Sequence, residues 1–220
     1  GGFPGMGLVG TITTEFLIDH LDVKLIGRII SDKIPALIAI HGGKIVEPFG
    51  IFYDAKKKIV IQHAVTDTSE MEWEIAETLL AIAKELNAKE IISLEGVTAT
   101  NLKNPSAYYY TNFEKAKKKI QSLKIPQLDN GIIVGVTGVL LLRASKQNVS
   151  SIFAETHTNM PDSRAAAQII KVLDRYLGLK VPFEPLMKKA EQFEDKLRDL
   201  FEQSKKVSDI KEKKTAEYLG

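Results

Sequence analysis

Residues Gly2 to Gly10 read GFPGMGLVG, and this glycine-rich stretch leads directly into an apolar segment. In that segment Leu8, Ile12 and Phe16 recur at intervals of four, which predicts a first helix from Leu8 to Leu21. Because glycines let a backbone turn tightly and lie close to another segment, we expect a structural turn that sets this helix against a sheet. A strand usually precedes such a turn, so we expect one before the given sequence.

The same stretch fits the dinucleotide-binding pattern, in which glycines bring the backbone close to a pyrophosphate. Gly5, Gly7 and Gly10 match its spacing G-x-G-x-x-G. That pattern also needs an acidic residue at the end of a second strand, about twenty residues later. The nearest candidates, Asp22 and Asp32, do not end such a strand. A structural turn is therefore the favoured interpretation, and a nucleotide site is the alternative.

The composition narrows the classes of function. The chain has 30 Lys and Arg and 28 Asp and Glu residues, so its net charge is +2, whereas nucleic-acid binders usually carry a clustered basic excess. It contains no cysteine, which excludes disulfides, thiolate metal sites and a cysteine nucleophile in the given sequence. No apolar run reaches the length of a membrane span, and no signal-peptide pattern is present. We expect a cytoplasmic protein without a nucleic-acid or membrane partner.

Helix-like and strand-like segments alternate along the chain, which predicts an α/β fold. Residues 45–53 and 57–63 read as two strands joined by a short turn, so we expect a mixed sheet. The other strands are predicted at residues 23–30, 36–40, 90–94, 132–136 and 151–154. The other helices of the domain are predicted at residues 70–86, 112–123, 138–145 and 163–177.

Two further glycine motifs follow predicted strands, Glu95–Thr98 and Gly135–Gly138. Ligands of α/β proteins often bind at the carboxyl ends of strands, but tight turns between strands and helices have the same composition. We favour tight turns at both positions. Across the chain, the residues expected to shape such turns are Gly2, Pro4, Gly5, Gly7, Gly10, Gly135 and Gly138.

Glu155 and His157 raise the question of a metal site or an acid–base pair. A metal needs three or four convergent ligands, and His20, His41 and His63 have no ligand spacing relative to this pair. We therefore expect neither a metal nor catalytic residues. Asp162 is better explained as the N-cap of the helix that follows it.

Tyr108, Tyr109 and Tyr110 lie in a segment, Gly96 to Thr111, that reads as a loop. Aromatic residues clustered in a loop are enriched at protein interfaces. They pack equally well into a core. The sequence leaves both interpretations open, so the three tyrosines are candidate interface residues.

Residues 184–220 read as a C-terminal helix and tail that follow a domain at 1–183. Apolar residues step along this helix by four, three, four and three residues, which is typical of a heptad seam. The stripe packs either on the chain's own domain or on another chain, and the two arrangements are compatible. Its candidate interface residues are Leu186, Phe193, Leu197 and Leu200.

Three motifs, in this order along the chain, resemble the proteasome assembly chaperone family in its archaeal and bacterial branch. They are the opening GFPG-x-GLVG at Gly2–Gly10, GVTGVLL at Gly135–Leu141, and Glu155–Thr156 followed by PDSRAAA at Pro161–Ala167. Each motif alone is weak, and the three together are fairly specific. The resemblance covers residues 2–183.

The resemblance implies a three-layer αβα sandwich with a mixed central sheet, similar in outline to the nucleoside phosphorylases. It implies homo-oligomers, or hetero-oligomers with a paralogous chaperone. In the eukaryotic branch and in some archaeal members it also implies binding to proteasome α subunits during ring assembly. It implies no enzyme activity and no cofactor. The hypothesis that follows is an assembly chaperone or adaptor with an oligomeric α/β platform and a C-terminal arm.

Members of that kind dock a tail that ends in a hydrophobic residue, tyrosine and any residue, and the terminal carboxylate is captured. The tail here reads TAEYLG, so Tyr218 is third from the end and Glu217 takes the hydrophobic position. Three alternatives stay open: the given sequence stops short of the natural end, this member docks differently, or it does not bind the proteasome. The candidate partner-binding residues are Tyr218, Leu219 and Gly220.

Two other functions stay open on the sequence. One is a nucleotide- or nucleoside-binding enzyme that uses a crevice beside Gly5, Gly96 and Gly138. The other is an oligomeric scaffold for a partner other than the proteasome.

Overall fold

The computed structural model describes residues 6–34, 38–41, 43–66, 68–98, 106–144, 147–156 and 161–182. A short 3-10 helix, Met6–Leu8, precedes the first α-helix. The α-helices are α1 (Val9–His20), α2 (Glu72–Glu85), α3 (Glu114–Ser122), α4 (Gly135–Arg143) and α5 (Ser163–Leu177). The strands are β1 (Val23–Arg28), β2 (Ala39–His41), β3 (Lys44–Val46), β4 (Phe49–Asp54), β5 (Ile59–Ala64), β6 (Ile91–Thr98), β7 (Ala107–Thr111) and β8 (Val149–Thr156).

The strands of the described residues form three separate hydrogen-bonded sheets. One is antiparallel in the order β1-β4-β5, and β2 pairs with β3 in a two-stranded hairpin. The third has the order β6-β8-β7, with β8 parallel to β6 and antiparallel to β7. The predicted hairpin lies in the antiparallel sheet as β4 and β5, whereas a mixed sheet, the third one, is present elsewhere. The predicted single central sheet is not, because no strand ladder joins β5 to β6 among the described residues.

Helices cover both faces of the β6-β8-β7 sheet. On one face Leu94 of β6 and Ile152 of β8 pack into a core shared with α1 and α5. On the other face Ser93 and Glu95 of β6 contact Thr137 of α4. The protein is thus a mixed α/β fold in which helices lie on both sides of a sheet. The likeness in outline to nucleoside phosphorylases stays a prediction.

The helix α5 begins and ends where the sequence predicts. The carboxylate of Asp162 accepts a hydrogen bond from the backbone N–H of Ala165 at 2.9 Å, which caps the helix. Gly178 follows in the left-handed conformation, with φ of 68°, which ends it. The apolar face of α5 is buried against β8, whose eight residues are all buried.

Three sequence predictions about strands are wrong. The strand predicted at 45–53 is two strands, β3 and β4, interrupted at Glu47 and Pro48. A proline has no backbone N–H to donate to a ladder, so pairing stops there. The strand predicted at 132–136 is absent, because its apolar residues find no partner strand and α4 already begins at Gly135. The loop predicted from Gly96 to Thr111 contains the end of β6 and the whole of β7.

No helix among the described residues is long and apolar enough to cross a membrane. The predicted C-terminal helix, with Leu186, Phe193, Leu197, Leu200 and the tail Tyr218, Leu219 and Gly220, lies outside the described residues. Gly2, Pro4, Gly5 and His157 also lie outside them.

Candidate functional site

The turn Met6–Leu8 lies against the carboxyl ends of β6 and β8. Gly7 has φ of 65°, in the left-handed region that favours glycine. A β-carbon built on Gly7 would lie 2.6 Å from the hydroxyl oxygen of Thr156, the last residue of β8. A glycine is thus required at position 7, both because of the backbone conformation there and because Thr156 lies so close.

Gly96, near the end of β6, lets the same turn approach from the other side. A β-carbon there would lie 2.1 Å from the carbonyl oxygen of Met6 and 2.9 Å from the methyl group of Thr156. One turn of helix further on, a β-carbon on Gly10 would lie 2.8 Å from the carbonyl oxygen of Leu94. Protein atoms therefore lie so close to these three glycines that no side chain fits at any of them.

Asp162 joins this turn to β8 and α5. Its backbone N–H donates to the carbonyl oxygen of Gly7 at 2.9 Å. Its carboxylate accepts a hydrogen bond from the hydroxyl of Thr156 at 2.8 Å while it also caps α5. The two family-like motifs at the start and end of the domain, GFPGMGLVG and PDSRAAA, thus meet in one hydrogen-bonded cluster. Sequence reasoning assigned Asp162 only the cap, since the partner residues are distant in the chain.

Glu95 lies on the opposite face of β6, under the first turn of α4. The hydroxyl of Thr137 donates to its carboxylate at 3.1 Å, and Ser93 hydrogen-bonds to Thr137 in turn. The backbone N–H groups of Gly96 and Met6 also donate to the carboxylate. Burial raises the pKa of Glu95 to about 7, although these hydrogen bonds oppose the shift. Glu95 thus connects β6, α4 and the Met6 turn through a group that titrates near neutral pH.

The glycines of the second motif lie at the start of α4. Gly135 has φ of 76°, and a β-carbon added there would have no heavy atom within 4 Å. Gly138 is closer packed, since a β-carbon there would lie 2.9 Å from the carbonyl oxygen of Ile133. Both glycines therefore lie in the first turn of a helix and not between a strand and a helix.

Glu155 is buried at the end of β8 and holds the start of β7. Its carboxylate accepts hydrogen bonds from the backbone N–H of Ser106 at 3.0 Å and from the hydroxyl of Tyr108 at 3.2 Å. Burial and the neighbouring Glu155 raise the pKa of Tyr108. The described surroundings of Glu155 therefore explain it as a structural link. No group of three or more potential metal ligands occurs in the part of the chain that the structure describes.

The three tyrosines have different environments because β7 is a strand, in which successive side chains alternate between faces. Tyr109 is 1% exposed and packs with Ala116, Ile120 and Tyr176, so of the two alternatives left open by the sequence it takes the core position within this chain. Tyr110 is exposed. Tyr108 is half-buried by its contact with Glu155. Of the three, Tyr110 is the side chain most open to a partner.

A buried polar contact between α1 and β5 was missed by sequence reasoning. His63 is 2% exposed, and its Nδ1 lies 2.8 Å from the hydroxyl of Thr14. Its Nε2 lies 2.9 Å from the carboxylate of Glu15. The order of these groups is that of a nucleophile, base and acid, but the hydroxyl of Thr14 also donates to the carbonyl oxygen of Gly10 at 2.9 Å. The arrangement therefore holds α1 against β5. The sequence did not reveal it because Thr14 and His63 are forty-nine positions apart.

Comparison with known proteins places this geometry in context. The sequence model of the PAC2 family matches residues 1–201. An uncharacterized protein of Methanocaldococcus jannaschii is 28% identical over 219 residues, which cover 99% of this chain and 90% of the relative.

Two solved structures from Pyrococcus furiosus have the same fold. PbaA, described as an archaeal homolog of proteasome-assembly chaperone, is 34% identical with a TM-score of 0.81, over 94% of this chain and 92% of PbaA. PbaB, described as an archaeal proteasome activator, is 22% identical with a TM-score of 0.70, over 90% of each chain. The likeness to PbaB concerns the fold alone.

Proposed function

The chain belongs to the PAC2 family, and we propose that it acts as a proteasome assembly chaperone or adaptor that binds proteasome α subunits. The observation that carries the proposal is the likeness to PbaA, which combines 34% identity with coverage of 94% of the chain. One fold hosts many functions, so this identity weighs more than the TM-score.

The geometry of the Met6 turn supports a structural role for its glycines at the strand ends. Backbone and side-chain atoms of Met6 and Thr156 fill the space at Gly7 and Gly96. No described feature favours the alternative, a nucleotide- or nucleoside-binding enzyme with its crevice at those glycines. The turn then serves to fix α1 against β6 and β8.

The domain at 1–183 is, in this proposal, an oligomeric platform in the cytoplasm, and residues 184–220 are its arm. The arm meets the α subunit through the segment that contains Tyr218, Leu219 and Gly220. Its apolar stripe contacts another helix. A paralogous chaperone is the alternative partner of that stripe.

Co-purification tests the proposal. The full chain, carrying an N-terminal affinity tag, is co-expressed with proteasome α subunits, and we expect both to elute together. Deletion of residues 205–220 should abolish the association while the thermal unfolding of the domain stays unchanged. Retention of α subunits by the truncated chain would exclude the arm, and absence of α subunits with the full chain would exclude the function.

A further inference from the structure

Two helices, α3 and α5, pack against each other beside β7. The ring of Tyr176 in α5 is buried in a cluster with Ala116 and Ile120 of α3. The ammonium group of Lys119 in α3 lies 4.7 Å from the centroid of the same ring, within the range of a cation–π contact. The outer sides of α3 and α5 therefore belong to one surface of the domain.

The side chains on that surface are mostly basic. In α3 the exposed positions are those that point away from the Tyr176 cluster, and three of them are lysines. In α5 the exposed basic residues are seven and four positions apart, which places them on one side of the helix. The six exposed basic residues, called the basic face below, are Lys115, Lys118 and Lys119 of α3 and Arg164, Lys171 and Arg175 of α5.

The carboxylates near the basic face are bound elsewhere. Within the described ranges of the chain, none of the six basic residues forms an ion pair. The carboxylate of Asp174 in α5 accepts a hydrogen bond from the backbone N–H of Val181 at 3.1 Å. The carboxylate of Glu90 accepts hydrogen bonds from the hydroxyls of Ser150 and Tyr176. The positive charge of the basic face is therefore left unbalanced by the domain itself.

The spacing of the basic face brings like charges together. Lys115 lies four residues before Lys119, one turn apart on α3. Lys171 lies four residues before Arg175 on α5. Like charges at this spacing are neighbours on a helix surface and destabilise it. The arrangement thus opposes the stability of the free domain, and an anionic partner would relieve the repulsion.

The acidic helix α2 shows the opposite arrangement. Glu74 lies 2.7 Å from the ammonium group of Lys33, which comes from another part of the chain. Glu77 lies 3.0 Å from the guanidinium group of Arg143 in α4. The fold thus neutralises charge on α2 with residues from other segments, whereas it leaves the charge of the basic face open.

The rest of the chain favours an acidic protein over a nucleic acid as the partner. Of the 30 basic residues six lie on the basic face, which leaves 24 against 28 acidic residues, so the rest of the chain is net negative. A long polyanion that extends past the face would be repelled there, whereas an acidic patch on a folded protein is limited in extent. The ring of Tyr176 is also 4% exposed, so it is not free to stack on a base.

We propose that the basic face binds an acidic surface patch of the proteasome α subunit, as a second contact beside the arm. The inference rests on the proposed function for the identity of the partner. Complementary charges at an exposed surface mainly speed association, and salt weakens their effect. The signature of the basic face is therefore a salt-dependent association rate.

The test measures the association rate of the full chain with purified α subunits by stopped-flow fluorescence. The variant is Lys115→Glu with Lys171→Glu, and the control is Lys57→Glu with Lys58→Glu, which changes the net charge equally at exposed positions between β4 and β5. At low ionic strength the variant should associate about tenfold more slowly than the wild type, since charge steering acts on the rate by at least this factor. The control should associate like the wild type. The difference should vanish in about 1 M salt, where the Debye length is about 3 Å.

Thermal unfolding shows that a slower rate does not come from a damaged domain. Lys115→Glu adds an acidic group to the first turn of α3, and Lys171→Glu places one four residues before Arg175. Both changes favour the helix. The variant should therefore unfold at the same temperature as the wild type or higher, although it binds more slowly. Lys115→Gln with Lys171→Gln, which only removes the two charges, should give an intermediate rate.

The outcomes separate this inference from the proposed function. If the wild type binds α subunits and the variant has the same rate and the same salt dependence, the inference fails and the proposed function stands. If the wild type binds no α subunit at any salt concentration, the proposed function fails and this inference fails with it. If a labelled DNA duplex binds the wild type but not the variant, while the α-subunit rate is unchanged, the basic face serves a nucleic acid and the proposal is overturned.

Discussion

The carbonyl oxygen of Met6 occupies the place where a side chain on Gly96 would have to begin, 2.1 Å from the β-carbon position. The turn Met6–Leu8 can thus pack against β6 only because the residue ninety positions after Met6 is a glycine. This contact places the turn directly against the ends of β6 and β8. A substitution at Gly96 therefore tests the proposed structural role of the turn.

Gly96→Ala should lower the free energy of unfolding by about 1–3 kcal/mol, since backbone atoms must move to admit the methyl group. Urea unfolding followed by circular dichroism measures the change. Gly27→Ala is the matched control, because the nearest atom to its β-carbon, in the side chain of Ile51, is at 3.8 Å. An equal effect of the two substitutions would contradict the account of the turn.

Removal of the Asp162 carboxylate should destabilise the hydrogen-bonded cluster that joins the turn Met6–Leu8 to β8 and α5. Asp162→Ala deletes the cap of α5 and the acceptor of the Thr156 hydroxyl, so we expect a loss of about 2 kcal/mol. Glu114→Ala, at the exposed start of α3, serves as control, since no side chain caps that helix. Equal melting temperatures for the Asp162→Ala variant and the wild type would show that the cluster does not stabilise the domain.

The raised pKa of Glu95 predicts that the stability of the domain depends on pH in a specific way. Its folded-state pKa is raised from 4.5 to about 7, so the folded state holds a proton that the unfolded state has released between these values. The free energy of unfolding contributed by this group therefore falls as the pH rises from about 4.5 to about 7.

Glu95→Gln should remove that fall and leave the variant more stable than the wild type at pH 8. The measurement is thermal unfolding across this pH range. Glu114→Gln makes the same change of charge at an exposed position and controls for net charge. A Glu95→Gln profile that follows the wild type would refute the assignment of the buried proton to Glu95.

Nucleotides and nucleosides should not stabilise the chain, because we interpret Gly7 and Gly96 as residues of a structural turn that packs directly against Met6 and Thr156. A ligand at one hundred times its dissociation constant would add about 2.7 kcal/mol to the free energy of unfolding. A thermal-shift series with such ligands detects an effect of that size. A saturable shift, lost in a variant that alters only the strand ends, would revive the enzyme alternative.

Local signals in the sequence were enough for the elements whose determinants are close together. The apolar spacing of Leu8, Ile12 and Phe16 predicted α1, and all three are buried. Asp162 and Gly178 marked the ends of α5, because capping depends on residues within one turn of the helix.

Features that depend on distant partners were not predictable in the same way. The apolar residues Ile132 and Val134 looked like a strand but have no partner and are exposed. The segment that contains the three tyrosines was predicted to be a loop. It forms β7 instead, which pairs with β8 about forty residues later in the chain. The contact of His63 with Thr14 joins two elements forty-nine residues apart and leaves no pattern in the sequence.

Direct titration of purified proteasome α subunits with the full chain, followed by native mass spectrometry, tests the central claim of α-subunit binding. We expect a saturable complex of defined stoichiometry that the chain lacking residues 205–220 does not form. A mixture in which the chain and the α subunits remain separate at every ratio, with both folded, would contradict the account.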